Sequence, residues 1–588
     1  MPRAQAIAML LAAASGLAGA VLIDRYAPPP SASVAEGSEE CFATGGLDER
    51  EIPPRHAPIR WMGARASFVF ADLPAGPAAV EVRLRGNASP VAVAIDGQVR
   101  GEIAPQGPRG RFELPEGPRG GRVEVVLQTQ PSLRGLRQLG ALIGSVRVLP
   151  SEGWRLPPAL SLRLAALGAL SAAAALVAGL APAGAALFGL LAVLVTGLGL
   201  WPHGLQHSLY AARLPWFVAG AFAAAALATR WLGSAAPGFA ALSAAFVFHG
   251  IAATSPLMVV SDAVFHAHVL RDVAGGDWFP TSLTQHAQPF RIPYGAAFYG
   301  LLVPAYRAGL DPVSLVRWGA GLSGCLASVA LLRLLQPLGA ARAALAVALW
   351  ISLPGTFVVY SAGNLSNAFG QWVTLGFLAW WAGRAPLGAP MGALLLAAAG
   401  ASHLSSLIVL LAVSAALIAA RRARLDRTRL LALCIGFGLL ALYYSHYAGL
   451  VLEQAPRLLE GGGQGRGGGA GFAGHLTSQT LAFVEKCGVV ALLLAAAARW
   501  RGPVSPLERD VRAYTLGAFA MFLVALVSPL EVRYVLALGP GLALLAAEGA
   551  LRLADRNPVG RLAVAALLLV QALLAIRAIV ESVLYRYR

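Results

Sequence analysis

Charge is scarce in this sequence, and lysine is almost missing. Of 588 residues, 13% are charged, where an ordinary soluble domain carries about a quarter, so a large soluble enzyme is excluded. A 57% hydrophobic content and a mean hydropathy of +0.64 exclude a disordered chain. Lys486 is the only lysine, so the net charge of +17 is an excess of arginine. The arginines cluster in short loops between apolar spans. That is the signature of cytoplasmic loops and anionic headgroups, not of a nucleic-acid partner. Four cysteines make no disulfide framework. Cys325 and Cys434 fall inside apolar runs, Cys487 near the start of one, and Cys41 stands alone in the polar region. There is no CxxC motif or Cys/His cluster for structural zinc, and no clear internal repeat.

What is abundant is apolar sequence, in stretches near twenty residues that recur along most of the chain. This reads as a mostly α polytopic membrane protein, with roughly 13–15 spans. Residues 1–25 read as an uncleaved N-terminal anchor, although 5–23 also follow Arg3 as a signal peptide would. A linker at Pro28-Pro29-Pro30-Ser31 opens a polar region over 26–157. Within it 66–70, 79–84, 91–95 and 122–127 alternate or run apolar between turn signals such as Asp96-Gly97 and Gly107-Pro108. This spacing predicts an all-β sandwich or jelly roll, either a carbohydrate-binding module or a structural cap. Asn87-Ala88-Ser89 matches a glycosylation sequon, with proline directly after it.

Residues 158–235 read as additional spans and 236–588 as the membrane core, with an outer loop over 257–313. Spans are expected near 159–180, 183–200, 213–231, 236–256, 314–335, 341–360, 367–383, two within 390–420, 429–449, 478–498, 513–528, 535–550 and 560–580. The arginine-rich loops from Arg421 to Arg429, Arg499 to Arg512 and Arg552 to Arg561 should be cytoplasmic. Counting crossings from these anchors puts the β-region and the loop 257–293 outside. It also requires that 294–309, broken by Pro304, lie along the interface without crossing. The Gly-rich stretch Gly461 to Gly474 becomes a flexible outer loop.

The loop 257–293 is the densest cluster of ionisable side chains in the membrane half. A helix over 261–273 places Asp262 and His266 on one face, with Asp272 near it. They read as a general base or metal ligands, or as a solvated helix capped by Ser261 or Asp262. Arg533, within Ser528-Pro529-Leu530-Glu531-Val532-Arg533-Tyr534, runs against the positive-inside bias. It either grips a phosphate or pairs with Glu531 and snorkels. Tyr360 to Asn367 either lines a polar pocket or caps helices. His403, with Ser402, Ser405 and Ser406, should face the bundle interior, where packing hydrogen bonds are the plainer reading.

Ser261-Asp262-Ala263-Val264-Phe265-His266 through Gly276-Asp277-Trp278 resembles the first outer loop of the GT-C glycosyltransferases. These include polyprenyl-phosphate-sugar transferases, protein mannosyltransferases, the aminoarabinose transferase of lipid A and the oligosaccharyltransferase catalytic subunit. Asp262 matches the family's acidic position and Gly276-Asp277-Trp278 its turn. The following PFRIPYGAAFYG resembles the interfacial helix, 353–370 the second outer loop, and Glu531-Val532-Arg533-Tyr534 the late Arg-Tyr element. Asn364 and Asn367 stand where several members carry acids, and Ala263 follows Asp262 in place of a second acid.

The resemblance implies an inverting glycosyltransferase on the outer face of a bacterial inner membrane, with a polyprenyl-phosphate sugar donor and a glycan, lipid or protein acceptor. Asp262 would be the general base, and His266 would orient it or touch phosphate. Arg533, Tyr534 and Arg271 would hold the donor phosphate. Asp277, Trp278, Asn364, Asn367, His403 and Glu531 would line the acceptor pocket. If a divalent metal takes part, Asp262 and His266 are its expected ligands. The rival readings are a transporter or flippase with an outer sensor domain, and a non-catalytic glycan-assembly subunit.

Overall fold

The computed structural model describes residues 3–26, 28–35, 38–51, 59–73, 77–114, 121–134, 137–150, 158–200, 202–234, 236–255, 262–283, 291–361, 363–383, 388–421, 425–453, 472–498, 505–526 and 535–580. The chain forms two compact units, one holding Met1–Leu227 with Ser255–Met258 and Val580–Arg588, the other Ala228–Thr254 with Val259–Ile579. By length and apolar composition ten described helices are able to cross a membrane, the pattern of a multi-pass membrane protein.

In the first unit, α1 (Arg3–Tyr26) packs on α3 (Pro158–Val177) and α4 (Pro182–Leu200) through small residues. A Cβ at Gly16 would overlap the Leu164 carbonyl, and one at Gly168 the Ala12 carbonyl. Such close approach of backbones is how apolar helices associate where no water drives them together. Between α1 and α3 lies the β-domain, which also carries the one-turn helix α2 (Glu39–Phe42). Seven strands run in the order β6 (Gln98–Ile103), β5 (Val91–Ile95), β8 (Gly121–Thr129), β3 (Ile59–Leu73), β11 (Leu142–Pro150), β4 (Pro77–Gly86), β7 (Arg109–Glu113). β1 (Ser31–Ser33) and β2 (Ala43–Glu51) pair onto β11 and β3, and β9 (Ser132–Arg134) with β10 (Arg137–Leu139) form a separate hairpin.

The expected sandwich of two sheets is instead one nine-stranded sheet that curls until its end strands meet. The Phe112 ring of β7 lies against Gly101 of β6, where a Cβ would stand 3.0 Å from it, and the Ile103 side chain lies against Gly110. Glycine on both end strands is what lets the rim come together around one ring. Val80, Val82, Val91, Val93, Val123 and Val125 alternate inward, as strands with one buried face require. The Asn87 amide is buried and donates to the Ala104 carbonyl at 2.9 Å, so this sequon points into the fold.

The domain is tied to the apolar helices of its own unit. Asp72, in the left-handed region at φ 53°, pairs with Arg163 of α3. Its carbonyl accepts a hydrogen bond from His207 Nδ1 at 3.1 Å. Leu205, on the same 3-10 turn (Pro202–His207), belongs to the β-domain's apolar core. α5 (Leu209–Trp231) follows.

The second unit begins with α6 (Ala236–Thr254), the amphipathic α7 (Ala263–Ala274) and α8 (Ala297–Arg307). Between α7 and α8 the loop narrows to a ribbon of β12 (Thr281–Leu283) and β13 (Arg291–Pro293). At 11 residues, α8 spans about 16 Å, too short to cross, as the crossing count requires. Asp311 accepts from the Ser314 amide at 2.7 Å and starts α9 (Pro312–Leu335), with Pro312 in its first turn.

Several expected spans are shorter or broken. The 341–360 run divides into α10 (Ala340–Ser352) and α11 (Pro354–Ser361), because Pro354 forces Leu353 extended, at ψ 127°. α12 (Leu365–Trp381) and α13 (Gly388–Gly400) have 17 and 13 residues. α14 (Leu404–Arg421) and α15 (Arg427–Ser445) are full length. The 478–498 run is α16 (Phe472–Cys487) and α17 (Val489–Ala496), bent by 83° at Gly488. α18 (Pro506–Leu526) carries charge at its start, and α19 (Val535–Ala554) and α20 (Pro558–Val580) complete the described chain. Among the described residues, ten helices are long and apolar enough to cross, or eleven if the bent pair is one span, against the 13–15 spans expected. Of the Gly-rich stretch Gly461 to Gly474, expected as a flexible loop, 461–471 lie outside the described residues and 472–474 form the start of α16.

Ion pairs gather the arginine-rich loops at one end of this unit. Arg421 chelates Asp510, while Arg342 bridges Glu508 at 2.8 Å and Glu548 at 2.7 Å. Arg512 reaches Glu548 at 3.5 Å, and Arg552 reaches the Ala497 and Ala498 carbonyls.

Candidate functional site

The opposite end of the same unit carries the polar cluster. His403 and Arg421 flank α14, whose 18 residues hold them about 27 Å apart. Around His403 converge α7, α8, the start of α12 and the turn from Tyr360 to Asn364.

α7 buries Ala263, His266, Val269, Leu270 and Val273, and exposes His268, Arg271 and Asp272. Asp262 occupies its N-cap position, but the carboxylate accepts no cap hydrogen bond from the helix. It is seated instead against Gly363, whose φ of 68° lies in the left-handed region that favours glycine. A Cβ there would stand 2.7 Å from the Asp262 Cβ and 3.1 Å from its carboxyl carbon. The Asp262 side-chain cap expected in the solvated-helix reading is therefore not made. Ser261 lies outside the described residues.

His266, one turn on, is fully enclosed. Its Nε2 lies 2.5 Å from the Gly363 carbonyl and its Nδ1 2.6 Å from the Tyr299 hydroxyl. A carbonyl only accepts, so Nε2 carries the proton and Tyr299 donates to Nδ1. Burial pushes the imidazole pKa down to about 4, against a smaller upward pull from the Gly363 carbonyl. Burial also raises the Tyr299 hydroxyl well above its ordinary value, and the Asp262 charge adds to this.

The structure brings Asp262, His266, Asn364, Asn367 and His403 into one neighbourhood. Asn364 is the N-cap of α12 and its side chain makes no cap bond. Asn367 staples α12 to α14, its Oδ1 accepting from Ser405 Oγ at 2.7 Å, Gln371 Nε2 at 2.9 Å and Ser406 Oγ at 3.1 Å. The His403 Nδ1 lies 2.7 Å from Ser405 Oγ, and its ring meets Tyr294 edge-on at 5.3 Å. Ser366 Oγ donates to Tyr294 Oη at 3.2 Å.

Other expected residues face elsewhere. Arg271 is on the exposed face of α7. Asp277 is exposed and accepts from the Phe279 amide at 3.1 Å, holding its own turn. Trp278 lies half-exposed across Gly300 of α8, where a Cβ would stand 3.0 Å from the indole. Glu531, Arg533 and Tyr534 lie outside the described residues.

Sequence reasoning missed the braces. Ala296 N donates to Tyr443 Oη at 3.0 Å, and that hydroxyl lies 3.2 Å from the Trp278 carbonyl. The Tyr447 hydroxyl lies 3.1 Å from both the Pro280 and the Tyr294 carbonyls. Tyrosines at the end of a span read as an interfacial belt, which hides their role in holding the loop.

The residues present do not fit a metal ion. Both imidazole nitrogens of His266 are engaged, and no group of three His, Cys, Asp or Glu side chains comes together among the described residues. Asp262 and His266 are therefore not a ligand pair.

No protein-family model matches the chain, and no curated protein sequence matches it.

Proposed function

We propose that this protein is a membrane glycosyltransferase of GT-C type that moves a sugar from a polyprenyl-phosphate donor to an acceptor hydroxyl on the non-cytoplasmic face of a bacterial inner membrane. The observation that carries the reading is the placement of Asp262. Its carboxylate is not spent on capping α7, and it rests on a left-handed glycine at the end of the bundle opposite the arginine loops. With those loops cytoplasmic under the positive-inside bias, that end faces outward.

Asp262 accepts the proton of the acceptor hydroxyl as its oxygen attacks the anomeric carbon. The bond to the lipid phosphate breaks with inversion, and the electron pair leaves on phosphate. General-base help of this kind contributes about 10²–10⁴-fold. Because both His266 nitrogens are engaged, the histidine is a positioning residue and no longer a candidate phosphate contact. By the family resemblance, Arg533 and Tyr534 receive the departing phosphate, with charge-assisted hydrogen bonds as the attraction. Trp278, exposed beside the α7–α8 loop, offers an aromatic face to the acceptor.

The test uses full-length protein in lipid nanodiscs with a panel of polyprenyl-phosphate-linked sugars. Asp262→Asn should lower transfer at least about 100-fold while the protein still inserts and stays monodisperse. Near-normal turnover would remove Asp262 from the role. Transport of the lipid with no sugar transfer in the unmodified protein would favour the flippase reading instead.

A further inference from the structure

We infer that His249, in the last two turns of α6, is a second positioning residue for the Asp262 site: through Tyr360 it holds the same turn that His266 holds through Gly363. Only the activity arm of its test rests on the sugar-transfer reading.

The His249 ring is fully buried. It is boxed by Phe248, Trp350, Tyr360 and Trp372, with ring centroids 5.1–5.9 Å away. Gly324 of α9 leaves room for it, since a Cβ there would overlap the imidazole. A phenylalanine would suit such a box with no polar group to desolvate, so the aromatic packing does not account for an imidazole. The one hydrogen bond the ring makes among the described residues is between Nδ1 and Tyr360 Oη, at 2.7 Å; Nε2 makes none. That bond crosses from α6 to the last turn of α11.

Tyr360 starts the turn on which Asp262 rests. Its carbonyl accepts from the Gly363 amide at 3.1 Å, closing the turn. The Gly363 carbonyl then accepts from Leu365 N at 2.8 Å and from His266 Nε2 at 2.5 Å. Two histidines, from helices on either side of the segment that leads into Asp262, thus hold the entry and the exit of one turn. Releasing Tyr360 frees the end of α11 to rotate, and the Gly363 backbone moves with it. The carboxylate loses the surface that fixes it.

The experiment compares Tyr360→Phe, His249→Phe and His249→Asn in full-length protein in nanodiscs. Amide exchange is read by mass spectrometry over 360–368, and sugar transfer by steady-state kinetics. Tyr360→Phe removes one oxygen and keeps the ring; it carries the test if His249→Phe does not insert. Both Phe variants should speed exchange at Gly363 and Leu365 about tenfold. They should also lower kcat about tenfold with donor KM within about twofold, and combining them should add nothing. His249→Asn, whose amide replaces Nδ1, should recover both readouts. Exchange at Gly363 unchanged in Tyr360→Phe overturns the inference, as does an Asn variant no better than Phe. Because exchange is measured without substrate, faster exchange alongside an unmodified protein that transfers no sugar would sink the enzymatic reading and leave the role of His249 standing.

Discussion

His266 and Gly363 are 97 residues apart in sequence, yet the imidazole Nε2 and the glycine carbonyl meet at 2.5 Å. One bond joins α7 to the turn that leads into α12. It is made by a side chain on one partner and by backbone on the other, so its strength depends on the glycine keeping its left-handed conformation.

Gly363→Ala tests that dependence. The substitution strains a φ of 68° and drives a methyl into Asp262. It should cost about 1–3 kcal/mol and lower transfer at least about tenfold. Gly276→Ala is the control, at φ 109° but with open space around it; it should cost stability with little loss of transfer. Equal activity losses in the two variants would remove the steric link to Asp262.

Acid should destabilise the protein from the histidine side. Burial pushes His207 and His266 down to about 4 from 6.5. Both are neutral when folded and take up a proton when unfolded below pH 6.5. Their contribution to stability is present in full above pH 7 and falls away between 6.5 and 4. By pH 5 each removes about 2 kcal/mol. Thermal melts at pH 7.5 and 5.0 should show the loss, and His207→Gln should reduce it. A melting temperature independent of pH over this range would contradict the assignment.

Asp510 is fully buried, and among the described residues its carboxylate pairs with one guanidinium, that of Arg421. Asp510→Ala leaves that cation without its partner and should cost about 3–5 kcal/mol. Replacing both residues, as Arg421→Met with Asp510→Leu, should cost less than the single change. A double variant less stable than Asp510→Ala would show that the pair matters beyond its charge balance.

Gly168→Leu addresses the N-terminal helix. Its side chain would occupy the place of the Ala12 carbonyl, so α1 must move off α3. Greater protease access to residues 3–26, with the β-domain intact, is the expected readout. Unchanged protection would mean that the glycine stripe does not hold α1.

The sequence made some of this legible because the relevant physics is local. Turn residues and alternation located the strands over 66–70, 79–84, 91–95 and 122–127, all of which form. Asp96-Gly97 forms a turn with both residues at positive φ. The run 294–309 reads as non-crossing from the crossing count, together with its shortness and Pro304. Closure of the sheet was not legible, since it depends on Gly101 of β6 meeting Phe112 of β7 and Gly110 of β7 meeting Ile103 of β6, strands at opposite ends of the sheet order. Fewer described helices qualify as spans than the 13–15 expected: the backbone turns at Pro354 and Gly488, α12 and α13 are only 17 and 13 residues long, and α18 is charged at its start. The placement of Asp262 and His266 one turn apart on α7 was legible, but the atoms each one meets were not. Tyr299 carries no signal of its own, and Tyr360 and Gly363 read only as part of a pocket-lining or capping stretch until the fold brings them to the histidines.

Leu205 belongs to the core of a domain whose last strand ends 55 residues earlier, at Pro150. Excising 26–157 as a soluble reagent would leave a hole where that leucine sits and would separate Asp72 from Arg163. A secreted fragment of the β-domain is therefore an incomplete fold. Ligand screens on it should carry the chain through His207, or fuse that turn back onto the strands, before a failure to bind is given meaning.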